Sequence, residues 1–117
     1  MTLKYHTRRD YMKIIGKNPI TGLDYPDPDV IRVDDTYYMV STTMHFVPGC
    51  EILRSYDLVH WEHLSYVYER LDSTEEQRLV GEKNCYGKGM WAASLRYHKG
   101  MYYICFVAND TGKTYLY

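Results

Sequence analysis

The chain has 117 residues, enough for one small domain, and 45% of them are hydrophobic, which excludes a disordered chain. Lys and Arg number 14 against 15 Asp and Glu, a formal net charge of −1. That balance lacks the basic footprint that nucleic-acid and membrane partners usually require, so neither is expected.

Residues 1–28 form the first expected unit, an arm leading into a sheet. Met1 to Asp10 is polar and charged, with no apolar run behind it of the kind a secretory signal carries. A cytoplasmic location is the expectation, with Cys50, Cys85 and Cys105 as free thiols, because three widely spaced cysteines fit neither a disulfide framework nor a zinc site. The arm ends in Asn18-Pro19, Thr21-Gly22 and Tyr25-Pro26-Asp27-Pro28, dipeptides that punctuate irregular or extended backbone.

Strands are expected from Asp29. Asp29 to Val33 and Thr36 to Thr42 are β-rich runs separated by Asp34-Asp35, a two-residue hairpin signal. Glu51 to Ser55 follows Pro48-Gly49, and Trp61 to Tyr68 follows the turn at Tyr56-Asp57-Leu58, so residues 29–68 read as one four-stranded meander. Residues 69–90 break the pattern: Ser73 and Glu76 stand at capping-box spacing for one short helix, and Gly81, Gly87 and Gly89 then argue for a loop. Strands resume in 91–117 with Trp91 to Tyr97, a His98-Lys99-Gly100 turn, Met101 to Ala108 and Thr114 to Tyr117.

The second group repeats the first. Tyr37-Tyr38 and Tyr102-Tyr103 stand 65 residues apart, and the same offset brings Val30 to Leu95, Asp34-Asp35 to Lys99-Gly100 and Met39 to Ile104. Repeated hairpins suit a propeller, whose blades are small sheets that must stack on neighbours; a sandwich built from similar hairpins fits the periodicity equally. A blade takes roughly 40–50 residues, so at most two or three fit here, whereas closed propellers need about four to eight. Either further blades or other copies of the chain are therefore expected to cover the exposed edges and faces. The 14 tyrosines suit strand packing first, although their flat rings also stack on sugars.

Chemistry concentrates in Asp24-Tyr25-Pro26-Asp27-Pro28-Asp29. Pro26 fixes its own φ, and Pro28 moves Asp27 out of the helical region toward an extended one, so a carboxylate is held between two stiff residues just before a strand. That is one way to aim a catalytic group. A proline-rich turn whose aspartates only cap or hydrate the backbone is the alternative. A calcium loop fits less well, because the glycine and distal glutamate of an EF-hand are missing.

From Asn18-Pro19 onward the chain resembles the opening of family 43 glycoside hydrolases. The resemblance runs through Tyr25-Pro26-Asp27-Pro28-Asp29-Val30-Ile31-Arg32-Val33, Tyr37-Tyr38-Met39-Val40-Ser41-Thr42-Thr43, Phe46-Val47-Pro48-Gly49, Ser55-Tyr56-Asp57-Leu58-Val59-His60-Trp61 and Gly89-Met90-Trp91-Ala92. It implies an all-β, incomplete five-bladed β-propeller, comprising the first blade and part of the second. The implied function is an inverting β-xylosidase or α-L-arabinofuranosidase acting on plant-derived pentose oligosaccharides, with Asp27 as general base. A non-catalytic carbohydrate-binding module or a truncated propeller is the alternative.

The family's general acid, and the aspartate that tunes it, belong to later blades. Glu51, Glu62 and Asp110 match neither motif, so this chain is expected to be inactive in isolation. Trp91 is implied in the sugar pocket, and Met44, His45 and Phe46 in contacts to the substrate. Met44 stands where some xylosidases carry phenylalanine, and Ala93 where proline is usual, a change expected to soften the backbone there. No cofactor is expected, although some relatives hold a central calcium ion. Asp57 and Trp61 read as a fold signature, and His60 with His63 as unsuited to a metal because their spacing on a strand turns them to opposite faces.

Overall fold

The computed structural model describes residues 16–72 and 74–117. Expectations about Met1 to Asp10 and about Ser73 therefore lie outside the described residues. Among the described residues, seven strands form two antiparallel sheets. The first is β1 (Asp29–Val33), β2 (Thr36–Val40), β3 (Gly49–Ser55) and β4 (Glu62–Tyr68), in sequential order. The second is β5 (Met90–His98), β6 (Met101–Ala108) and β7 (Lys113–Leu116). Among the described residues no helix is long and apolar enough to cross a membrane.

The repeat seen in the sequence is a repeat of register. Arg32 pairs with Tyr37 and Val30 with Met39 in the first sheet; Tyr97 pairs with Tyr102 and Leu95 with Ile104 in the second, each 65 residues on. The turns differ in detail. Lys99 and Gly100 both take positive φ, 47° and 82°, as a type I′ hairpin requires, whereas in the first hairpin Asp34 alone does so, at 52°.

Equivalent positions differ in burial because the sheets stack side by side. Ile31, Tyr38, Val40 and Ile52 face the second sheet and pack on a core that includes Leu95, Ile104 and Phe106. Tyr38 meets Tyr102 edge-on at 5.2 Å across this interface. Asp29, at the start of β1, accepts the Leu95 backbone N–H at 2.8 Å and pairs with Arg96 at 2.8 Å, tying β1 to β5. On the far side of the second sheet, Tyr103, Cys105, Val107 and Leu116 are exposed. That face repeats the one by which the first sheet holds the second, and it would receive the next blade of a propeller.

The Ser55 to Trp61 turn shows why its residue types recur together. Asp57 Oδ1 accepts the backbone N–H groups of Val59 and His60, both at 2.8 Å, and the Ser55 hydroxyl at 3.0 Å; Oδ2 meets His60 Nδ1 at 2.8 Å. The Trp61 indole donates to the Leu58 carbonyl at 3.2 Å. Burial alone would raise the Asp57 carboxyl, but these hydrogen bonds outweigh it and hold the group at about 2. The folded value lies below the unfolded one, so the stabilisation is complete above about pH 4 and disappears as pH falls through about 2. Asp57→Asn should therefore cost on the order of 2 kcal/mol at pH 7, with the gap to wild type closing in acid; urea denaturation at several pH values measures it.

Between the sheets, residues 75–79 form consecutive turns where one short helix was expected. Single main-chain bonds such as Arg78 N–H to the Thr74 carbonyl at 3.1 Å close the turns, and side chains anchor them. Gln77, 1% exposed, accepts the Leu71 N–H through Oε1 at 3.3 Å and donates through Nε2 to Asp110. Asp110 also donates its backbone N–H to the Lys88 carbonyl at 2.7 Å, so the loop is latched onto the end of β6. The three cysteines are unbridged. Burial pushes the Cys50 thiol up to about 12, which keeps it protonated and unreactive.

Candidate active site

The Pro26-Asp27 turn is fastened to the end of β2. The Pro26 carbonyl accepts two bonds, from the Ser41 hydroxyl at 2.6 Å and the Thr42 N–H at 3.0 Å. Asp27 is exposed, with φ of 48°, in the left-handed region and not the extended one expected. Pro28 does exclude the right-handed helical region for Asp27, but aspartate tolerates the left-handed well, and the two bonds to Pro26 hold the turn there. Asp27 Oδ2 accepts the Thr42 hydroxyl at 3.3 Å; among the described residues Oδ1 is open.

Thr42 is the residue the sequence reading passed over. Its Oγ1 accepts the Ala92 N–H at 2.8 Å while its proton points to Asp27. From there residues 42–45 run antiparallel to 92–87. Thr43 bridges Met90, the Met44 carbonyl accepts the Gly89 N–H at 3.0 Å, and His45 Nδ1 accepts the Gly87 N–H at 3.0 Å. Gly89 permits this approach, since a Cβ there would stand 3.1 Å from the Met44 carbonyl oxygen. The seam thus carries the Asp27 carboxylate and the Trp91 strand end on a common support.

Trp91 is half-buried, and its indole N–H is buried with no hydrogen-bond partner among the described residues. The next residue, Ala92, has φ of 38°, and the β5–β6 register shifts between Trp91 and Ser94. Ala93 is 5% exposed, so the position where proline is usual lies packed inside this bulge. Met44 is half-buried, whereas His45 and Phe46 are exposed, Phe46 at 50%. His45 stacks on Tyr86 with ring centroids 4.3 Å apart.

The other carboxylates have structural work. Glu51 pairs with His63 at 2.9 Å and Glu62 with Arg54 at 2.6 Å on the outer strands, while Asp110 holds the connecting loop. His60 and His63 thus answer to different carboxylates, Asp57 and Glu51. Among the described residues no group of three or more His, Cys, Asp or Glu is gathered as metal ligands would be.

Two hollows of the described surface lie elsewhere. One, of about 150 Å³, is apolar and sits between the sheets, against Tyr38, Ile52, Leu95 and Tyr102; the other lies where Ile20 to Tyr25 cross Val59 to Trp61. Asp27 and Trp91 line neither. A pocket at the hub of a propeller takes its walls from every blade, and two blades supply one side of it.

The Thr42 link has a measurable worth. Thr42→Val keeps the shape but leaves the Ala92 N–H without its acceptor, at a cost of about 1–3 kcal/mol. Thr42→Ser retains the hydroxyl and should recover most of that loss in urea denaturation.

The family model for glycosyl hydrolases family 43 matches residues 16–117. A β-xylosidase of Formosa agariphila is 42% identical over 86 residues, 74% of this chain and 14% of that protein. A non-reducing end α-L-arabinofuranosidase of Bacteroides ovatus is 39% identical over 89 residues, 75% of this chain and 16% of that protein. Among solved structures, a bifunctional GH43-CE protein of Bacteroides eggerthii superimposes with a TM-score of 0.83 at 49% identity, over 87% of this chain and 13% of that one. The chain therefore spans less than a fifth of the length of these relatives. With two stacked sheets in repeated register, an aspartate docked on the first strand pair and a match from Gly16 to Tyr117, the chain belongs to glycosyl hydrolases family 43 as the opening blades of an incomplete propeller.

Proposed function

We propose that this chain supplies the general-base side of an inverting glycosidase for xylose- or arabinose-containing oligosaccharides. The observation that carries the reading is the Thr42 hydroxyl, which joins the Asp27 carboxylate to the backbone beside Trp91. One carboxylate oxygen is engaged by Thr42, which orients the group; the other is open to a water among the described residues. In this role Asp27 takes a proton from that water as it attacks the anomeric carbon. A carboxylic acid on the opposite side protonates the departing oxygen, at a separation of about 6.5–9.5 Å that leaves room for the water. The half-buried Trp91 ring provides an apolar wall for a pentose. Met44 and Phe46 extend that wall along the same seam.

The acid belongs to a later blade in this reading, so the 117-residue chain binds sugar without turning it over. Further blades, or a second copy, cover the exposed Tyr103, Cys105, Val107 and Leu116 face. The test is a chimera in which residues 16–117 replace their counterpart in the Bacteroides eggerthii relative, assayed on nitrophenyl xyloside and arabinofuranoside. Hydrolysis that disappears with Asp27→Asn supports the reading. A folded chimera that is inert, beside an active parent, counts against it.

A further inference from the structure

Tyr86 is 71% exposed, more than any other tyrosine among the described residues, and it is not loosely placed. Its backbone N–H donates to Asn84 Oδ1 at 3.1 Å, the Lys88 N–H donates to the Cys85 carbonyl at 2.9 Å, and the Asp110 N–H closes onto Lys88. One face of its ring rests on His45, and Nδ1 of His45 is taken by the Gly87 N–H. An exposed tyrosine whose backbone N–H is fixed on Asn84 and whose ring is stacked on a histidine is costly to order for no purpose, since it gains little by burial.

The seam fixes where this ring stands. Thr42, which holds Asp27, and His45, which seats Tyr86, are three residues apart, so at most about 11 Å of chain separates the two backbones. Both lie on the edge where residues 42–45 meet 87–92, next to Trp91. We infer that Tyr86, seated on His45, is a second aromatic platform that stacks on the sugar ring neighbouring the one held at Trp91, and so sets a preference for oligosaccharides over single pentoses. The inference rests on the glycosidase reading above and extends it to a second sugar ring. It also changes the part played by His45. With Nδ1 occupied and its face covered, that residue positions the loop and leaves direct contact to Tyr86.

Among the described residues neither Tyr86 nor His45 bonds to or stacks on a lysine or arginine, so the outer face of the Tyr86 ring suits an uncharged sugar ring better than a charged ligand. The test uses the 117-residue chain titrated calorimetrically with xylose and with xylotriose. Tyr86→Ala should weaken xylotriose binding about tenfold and leave xylose binding unchanged, while Tyr86→Trp restores the wild-type preference. His45→Ala should act like Tyr86→Ala, and Gly87 amide exchange should accelerate in it, a change that Tyr86→Ala does not require. If Tyr86→Ala binds xylotriose as wild type does, or weakens both sugars equally, the inference is overturned and the Trp91 reading stands. If wild type binds neither sugar, both are overturned.

Discussion

Asp27→Asn in the active chimera should lower kcat by about 10²–10⁴ with little change in KM, the range expected when a general base loses its function. Asparagine keeps the size of the side chain and the acceptor that the Thr42 hydroxyl uses, so the fold and the seam survive. What disappears is the capacity to accept a proton from water. Thr42→Val should act in the same direction but less strongly, since it frees the carboxylate without removing it. A wild-type rate in Asp27→Asn would move the base elsewhere and remove the mechanism proposed here.

The strands were legible because each sheet has exposed and covered faces and the side-chain period is two. Tyr37-Tyr38 and Tyr102-Tyr103 carry the register as well as the strand, since the 65-residue offset holds on both sides of each hairpin. Errors fell where the deciding partner is distant in sequence. Residues 75–79 form turns because Gln77 reaches Asp110, 33 residues away, and no local spacing announces that bond. Strand β3 starts at Gly49, inside a segment read as a turn, because Gly49 pairs with Tyr68.

The site was legible in part for the same reason. Pro26 and Pro28 mark Asp27 as constrained, yet they limit the backbone without choosing between the wells that remain. Trp91 is visible in its motif, but Thr42 acts through Asp27 and Ala92, 15 and 50 residues away, and reads in sequence as one more β-branched residue of a strand. A buried threonine at a strand end, 5% exposed, was the available signal, and burial is what a linear reading lacks. Asp29 is the first residue of β1 as its sequence implies, but that it also ties the two sheets through Leu95 and Arg96, 66 and 67 residues on, is not local information.

The stacking of the two sheets makes the second large prediction. Leu95 and Val30 are equivalent in the repeat and sit at the same register of their hairpins, Leu95 opposite Ile104 and Val30 opposite Met39. Their surroundings are opposite, with Leu95 1% exposed and Val30 42% exposed. Each points toward the preceding position in the ring; for Leu95 that position is filled by the first sheet, and for Val30 it is not. Leu95→Ala removes three buried carbons and leaves a void beside the apolar hollow it shares with Tyr38 and Ile52, at a cost of about 2–5 kcal/mol. Against a domain stability of about 5–15 kcal/mol, that is enough to shift the urea midpoint far or to prevent folding at 37 °C. Val30→Ala should cost less than about 1 kcal/mol, because little of the removed surface is buried. Equal losses at the two positions would mean that the sheets do not stack through this face, and the propeller arrangement would fail with them.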